Sequence, residues 1–145
     1  MWHRLKNLFS SLKTYDALSP SVKVRRQVNR ALRHRPALDV DAWFKSFYQL
    51  QGVAYPIVSF AYTHLEKYSG IQFSQVHPSD RLNEDLHWTQ VCWFDWQLAL
   101  CDDFYHCHGI DISDCLDELP LLTIEDLILF LDQKWAQAKR ERLKG

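Results

Sequence analysis

An all-α fold is what this sequence predicts, on three observations. Apolar residues recur at three- and four-residue spacing in several segments, alternation typical of strands is nearly absent, and the segments are bounded by capping Asp or Thr residues and by Gly and Pro. The 145 residues are 47% hydrophobic and 14% aromatic with only four Gly, the composition of one folded domain. A domain of this length hides roughly 70% of its unfolded surface, so its core needs no disulfide or metal staple.

The elements follow in order. Trp2, Leu5, Leu8, Phe9 and Leu12 fall at helical spacing, with Arg4, Lys6 and Lys13 on the other side, and predict a short basic amphipathic helix over residues 2–13. Residues 22–35 carry Lys23, Arg25, Arg26, Arg30 and Arg33 and are stopped by Pro36. A third helix begins at an Asp39 or Asp41 cap and presents Trp43, Phe44, Phe47, Tyr48 and Leu50 before Gly52. Further helices are expected over residues 56–68, 88–106 and 123–138, joined by loops holding Gly70, Pro78, Gly109 and Pro120. The last is entered through Thr123, and Glu125 and Asp126 suit its positive dipole end. The expected architecture is a helical bundle over residues 53–138, a basic aromatic-rich extension over 1–52 packed on it, and a basic tail over 139–145.

The net charge of −1 conceals a division. Residues 1–36 hold nine Lys or Arg against one acid, Asp16, whereas residues 37–133 hold three basic residues and sixteen acids; residues 134–145 return +4. This favours contact between the extension and the bundle and argues against nucleic acid as a partner of the whole chain. No stretch approaches the roughly 18 apolar residues of a membrane span, and no apolar core follows the first charges, so a cytoplasmic location is expected. Weak contact with a membrane surface through residues 2–13 is one association the pattern suggests, and contact of Arg25, Arg26, Arg30, Arg33 and Arg35 with His34 to nucleic acid or an anionic membrane is another. Cys92, Cys101, Cys107 and Cys115 form no Cys-x-x-Cys pair and read as free thiols of a reducing compartment.

Residues 57–135 resemble an acyl carrier protein. Gly70-Ile71-Gln72-Phe73-Ser74-Gln75-Val76 stands where carriers end their first helix at a Gly-Val turn and close the following loop with Val. Leu86 of Glu84-Asp85-Leu86 comes ten residues after Val76, and Phe104 eighteen after Leu86, both at carrier spacing; Asp95, Ala99, Leu100 and Asp103 fill the acid and apolar positions between. Ile110-Asp111-Ile112 and Leu122-Thr123-Ile124 resemble the turn after the carrier's second helix and the start of its last. The resemblance implies a carrier-like four-helix bundle. It also marks a departure: four residues after Leu86, where carriers attach phosphopantetheine to a Ser, stands Gln90, between Thr89 and Val91. An amide is no hydroxyl acceptor, and Thr89 has no Asp beside it. The chain is similar to small bacterial carrier-like proteins that lack this serine, so no cofactor is expected.

Read as one helix, residues 88–105 place Val91, Phe94 and Leu98 on one side, and Trp93, Leu100 and Phe104 nearly opposite, with only Asp95 and Asp102 plainly polar. Such a helix needs a second cover. The extension is the expected one, laid on Trp93 and Trp96; a protein partner meeting Trp93, Trp96, Asp95 and Asp102 is the other.

Catalytic signatures are not indicated. Cys101, His106, Cys107 and His108 are the most metal-like cluster, but His106-Cys107-His108 cannot all face one ion in a helix, and His87 would lie roughly 28 Å away along it. Neither metal nor catalytic residues are therefore expected. The acid pairs Glu84-Asp85 and Asp102-Asp103 face different ways and read as a solvated surface. The expected function is protein–protein interaction by a carrier-like protein without its prosthetic group; the alternative is non-covalent binding of an acyl chain or small ligand.

Overall fold

The computed structural model describes residues 19–115 and 122–144, whose regular elements are helices joined by turns and loops. Among the described residues six α-helices follow one another: α1 Val22–Leu32, α2 Val40–Phe47, α3 Tyr55–Ser69, α4 Trp88–Val91, α5 Trp96–His108 and α6 Ile124–Lys144. Single 3-10 turns stand at Gln49–Gln51 and Phe73–Gln75, and there is no strand among the described residues; Arg81 and Thr123 form one isolated antiparallel bridge. The expected helix over residues 2–13 lies outside the described residues. No helix of the described residues is long and apolar enough to cross a membrane.

Local chemistry sets the ends. Ser21 caps α1, its Oγ accepting from the Val24 amide at 3.2 Å, and Asp39, not Asp41, caps α2 through the Ala42 amide at 2.8 Å. Asp41 instead accepts a hydrogen bond from the Tyr55 hydroxyl at 2.5 Å, which ties α2 to α3. The start of α6 is a reciprocal cap: Thr123 Oγ1 accepts from the Asp126 amide, and the Asp126 carboxylate accepts from the Leu122 and Thr123 amides. Gly70 ends α3 with φ 70°, and a Cβ there would lie 2.9 Å from the Arg25 side chain, so both backbone hand and space require glycine.

One core runs through all the helices. α3 lies at its centre, packing on α2 and α6 and burying Ile57, Val58, Phe60, Ala61, Leu65 and Tyr68. Val28 and Leu32 of α1, Trp43 of α2 and Tyr48 just after it belong to the same cluster as Ile71, Phe73, Leu86, Leu100, Phe104 and Leu127. Trp43 is fully buried among Phe47, Tyr48, Tyr62 and Phe73, and its indole N–H donates to the Val76 carbonyl at 2.7 Å. That buried bond joins α2 to the loop that follows α3. Leu50, expected on the apolar side of the third helix, is instead fully exposed, because α2 ends at Phe47 and the 3-10 turn swings it outward.

Two helix expectations need correction. The predicted helix over residues 88–106 is two helices. In a continuous helix the Gln90 and Val91 carbonyls would accept amides four residues on. Here the Gln90 carbonyl accepts from the Ser21 amide at 2.9 Å and the Val91 carbonyl from Arg25 Nε at 2.8 Å. α1 thus takes over the bonds of α4, Cys92 becomes extended with ψ 156°, and α5 restarts from Asp95. Conversely, α6 does not stop at Ala138 but continues through the supposed tail to Lys144. Strong helix formers carry it on, and Lys139 lies 4.3 Å over the Trp135 ring one turn back.

Candidate functional site

The position singled out by the carrier resemblance is built from the segment after Gly70. Ile71, Phe73 and Val76 point into the core and anchor the loop, which then turns at Pro78 and Asp80. Asp80 organises this turn. Its nearly buried carboxylate receives the Arg35 guanidinium at 2.7 and 3.0 Å and the His77 amide at 2.7 Å, while its carbonyl accepts from Ile124, the first residue of α6. Gln75 completes the joint, its side chain donating to the Arg33 and Arg35 carbonyls. Sequence reasoning missed the Arg35–Asp80 pair, because no local pattern joins residues 45 apart. Its only available signals were a basic residue immediately before Pro36 and the turn sequence Pro78-Ser79-Asp80.

Leu86 is fully buried and leads into His87, a non-glycine residue at φ 52°, and then into the single turn of α4. Gln90 is exposed on that turn, as is Thr89. The Gln90 and Val91 amides both donate to the His87 carbonyl, at 2.9 and 3.0 Å, and the Trp88 amide donates to Leu82. Of the amides that a helix start would turn toward an anion, those of Trp88 and Gln90 are thus already bonded, and one turn of four residues carries little dipole.

The acids implied by the resemblance have divided roles. Arg81 pairs with both Glu84 and Asp85, and the guanidinium together with the Arg81 amide holds the Asp85 carboxyl below the usual carboxylate range. Asp103 turns inward to accept from the Tyr68 hydroxyl at 2.5 Å, with Lys67 at 3.9 Å. Burial, reinforced by that bond, pushes the Tyr68 hydroxyl well up. Asp102 is exposed and Asp95 half-buried at the start of α5, seven residues apart and so on one line of the helix about 10 Å long.

Trp93 and Trp96 are separated by the break. Trp96 is half-buried with its ring edge-on to buried Trp88 at 5.7 Å, whereas Trp93 lies in the connection ahead of α5 with 39% of its surface exposed. The projection that put Trp93 on one side with Leu100 and Phe104, opposite Val91, Phe94 and Leu98, therefore fails. The part of the extension that bonds here does so at the Gln90 and Val91 backbone, just ahead of Trp93.

At the far end of α5, Cys107 and His106 are exposed, while His108 is half-buried against Phe60 and Phe104 with its Nε2 buried and without a hydrogen-bond partner. Burial, with His64 nearby, lowers the His108 pKa. Among the described residues no group of three His, Cys, Asp or Glu side chains comes together to hold a metal ion. None of the four cysteines is in a disulfide, and burial drives the Cys92 thiol far above its ordinary range despite Arg25 nearby. A thiol so placed is not a poised nucleophile.

Comparison with family models, with curated proteins and with solved structures found no match.

Proposed function

We propose that this protein is a carrier-like helical bundle that bears no phosphopantetheine and acts through protein contact, not catalysis. The carrying observation is Gln90. It stands where the resemblance requires a hydroxyl, its own amide bonded to the His87 carbonyl and its own carbonyl to the Ser21 amide. Burial of Ile71, Phe73, Val76, Leu86, Leu100, Phe104, Ile112 and Ile124, most of the apolar positions that carry the resemblance, supports the same reading, while Leu122 is exposed. The contact surface would centre on Trp93 with Asp95 and Asp102 of α5, and half-buried Trp96 would form its floor. Intact mass after co-expression with a broad-specificity phosphopantetheinyl transferase is expected to equal that of the bare chain; an adduct on Thr89 or elsewhere overturns the proposal.

A second reading draws on the Tyr48 hydroxyl and the Trp88 indole N–H, both buried without a hydrogen-bond partner. Polar groups so placed suit the head of an acyl chain or small ligand held non-covalently in the core. Native mass spectrometry separates the two, since a stoichiometric bound lipid would favour this second reading.

A further inference from the structure

We propose that the outward face of α1 is a docking surface for an anionic lipid bilayer. Lys23, Arg26, Arg30 and Arg33 are spaced by three, four and three residues, within an arc of about 80° and a length of about 15 Å. All four are exposed, and none of their side chains takes part in a hydrogen bond or ion pair among the described residues. The other cations of this segment are used differently. Arg25 turns inward to the Val91 and Tyr68 carbonyls, and Arg35 to Asp80, while Val28 and Leu32 enter the core on the opposite side of the helix. The chain thus spends two arginines on its own architecture and leaves four cations in a row facing outward, although it carries sixteen acids between residues 37 and 133.

The chemistry of the row selects its occupant. A protein hot spot would need an aromatic or aliphatic anchor within it, and the row has only exposed Val22 at one end. Reading DNA would need base-edge donors and acceptors on the same face, where Gln27 is the only amide. A bilayer needs neither. It needs several cations at the headgroup level and a second, apolar signal close by, because one signal gives only marginal binding. The sequence ahead of α1 supplies that signal: Trp2, Leu5, Leu8, Phe9 and Leu12, interleaved with Arg4, Lys6 and Lys13.

The test is sedimentation of the full chain with vesicles of phosphatidylcholine alone and with about 30 mol% phosphatidylglycerol. Binding is expected only to the anionic vesicles, and to weaken steeply with salt. Arg26→Gln with Arg30→Gln should weaken it about 25-fold, at roughly fivefold per charge removed, without changing the thermal melt. Lys23→Gln with Arg33→Gln should do the same, and Lys45→Gln, on exposed α2 surface, should leave it within about twofold. Equal binding to both vesicle types, no binding to either, undiminished binding by both double variants, or binding of duplex DNA in place of vesicles would each overturn the proposal.

Discussion

Replacing Arg35 with Ala tests whether the joint around Asp80 holds the N-terminal segment to the bundle. The substitution removes two charge-assisted bonds to Asp80, at 2.7 and 3.0 Å, and a third to the Gln75 carbonyl at 3.1 Å. The Asp80 side chain, 7% exposed, is then a nearly buried anion with only the His77 amide as partner. Breaking such a pair costs about 3–5 kcal/mol. Arg35 is itself 21% exposed, so water can reach the vacated position and the lower end applies, about 3 kcal/mol. For a domain of this size that is a large share of a total stability of about 5–15 kcal/mol. Urea unfolding followed by tryptophan fluorescence should show the midpoint falling by about 1.5 M at a slope of about 2 kcal/mol per molar. A cycle with Asp80→Ala should return a coupling of about 2 kcal/mol, and Arg35→Met with Asp80→Leu should recover much of the loss. A loss below about 0.5 kcal/mol for Arg35→Ala, or no coupling in the cycle, would refute this account of the joint.

Other perturbations have equally definite outcomes. Trp43→Phe keeps most of the buried ring but orphans the Val76 carbonyl, and calorimetry should show a loss of about 1–3 kcal/mol. Gly70→Ala forces a residue at φ 70° against Arg25 and should cost about 1–2 kcal/mol from backbone hand alone, with an added change in the Trp88 and Trp93 fluorescence as Arg25 is displaced from Val91. Cys92, Tyr48 and Tyr68 all have raised pKa values in the fold, so their contribution is full below the ordinary thiol value of 9.0 and is lost as pH rises beyond it. The melting temperature should fall between about pH 9 and 11, and Cys92→Ala should soften the first part of the fall. Thiol labelling of the native protein at pH 8 should modify Cys107 and spare Cys92 until unfolding; equal rates would contradict the burial described for them.

Much of the helical pattern could be read from local chemistry. Asp39, Thr123 and Gly70 do at helix ends what their side chains, or the lack of one, dictate, and the apolar spacing of α3 fits the face it buries. Local reading failed where distant backbone changed the outcome. The periodicity of residues 88–105 fits one helix, and nothing within that stretch says that Ser21 and Arg25 will take the Gln90 and Val91 carbonyls. The same break separates Trp93 from α5, so the surface proposed for partners could be named residue by residue but not assembled. Leu50 shows a smaller failure, since an apolar residue one turn past Phe47 fits the pattern whether or not the helix lasts that long. The Arg35–Asp80 joint was beyond reach because opposite charges are plentiful in this chain and sequence offers no rule for choosing among them.

The hold of Arg25 on Val91 also carries a consequence for how the chain is made. The two residues are 66 apart, so when α1 leaves the ribosome the turn it completes has not been synthesised. At about 5–20 residues per second, α1 waits several seconds with Val28 and Leu32 uncovered. The turn at Trp88 is too short to persist alone, and its capture by Ser21 and Arg25 is therefore among the later events of folding. A ribosome paused before residue 91 would hold a chain whose first helix can reach Tyr68 and Gly70 but not the turn that Ser21 and Arg25 complete, and that interval is when a chaperone would have most to do.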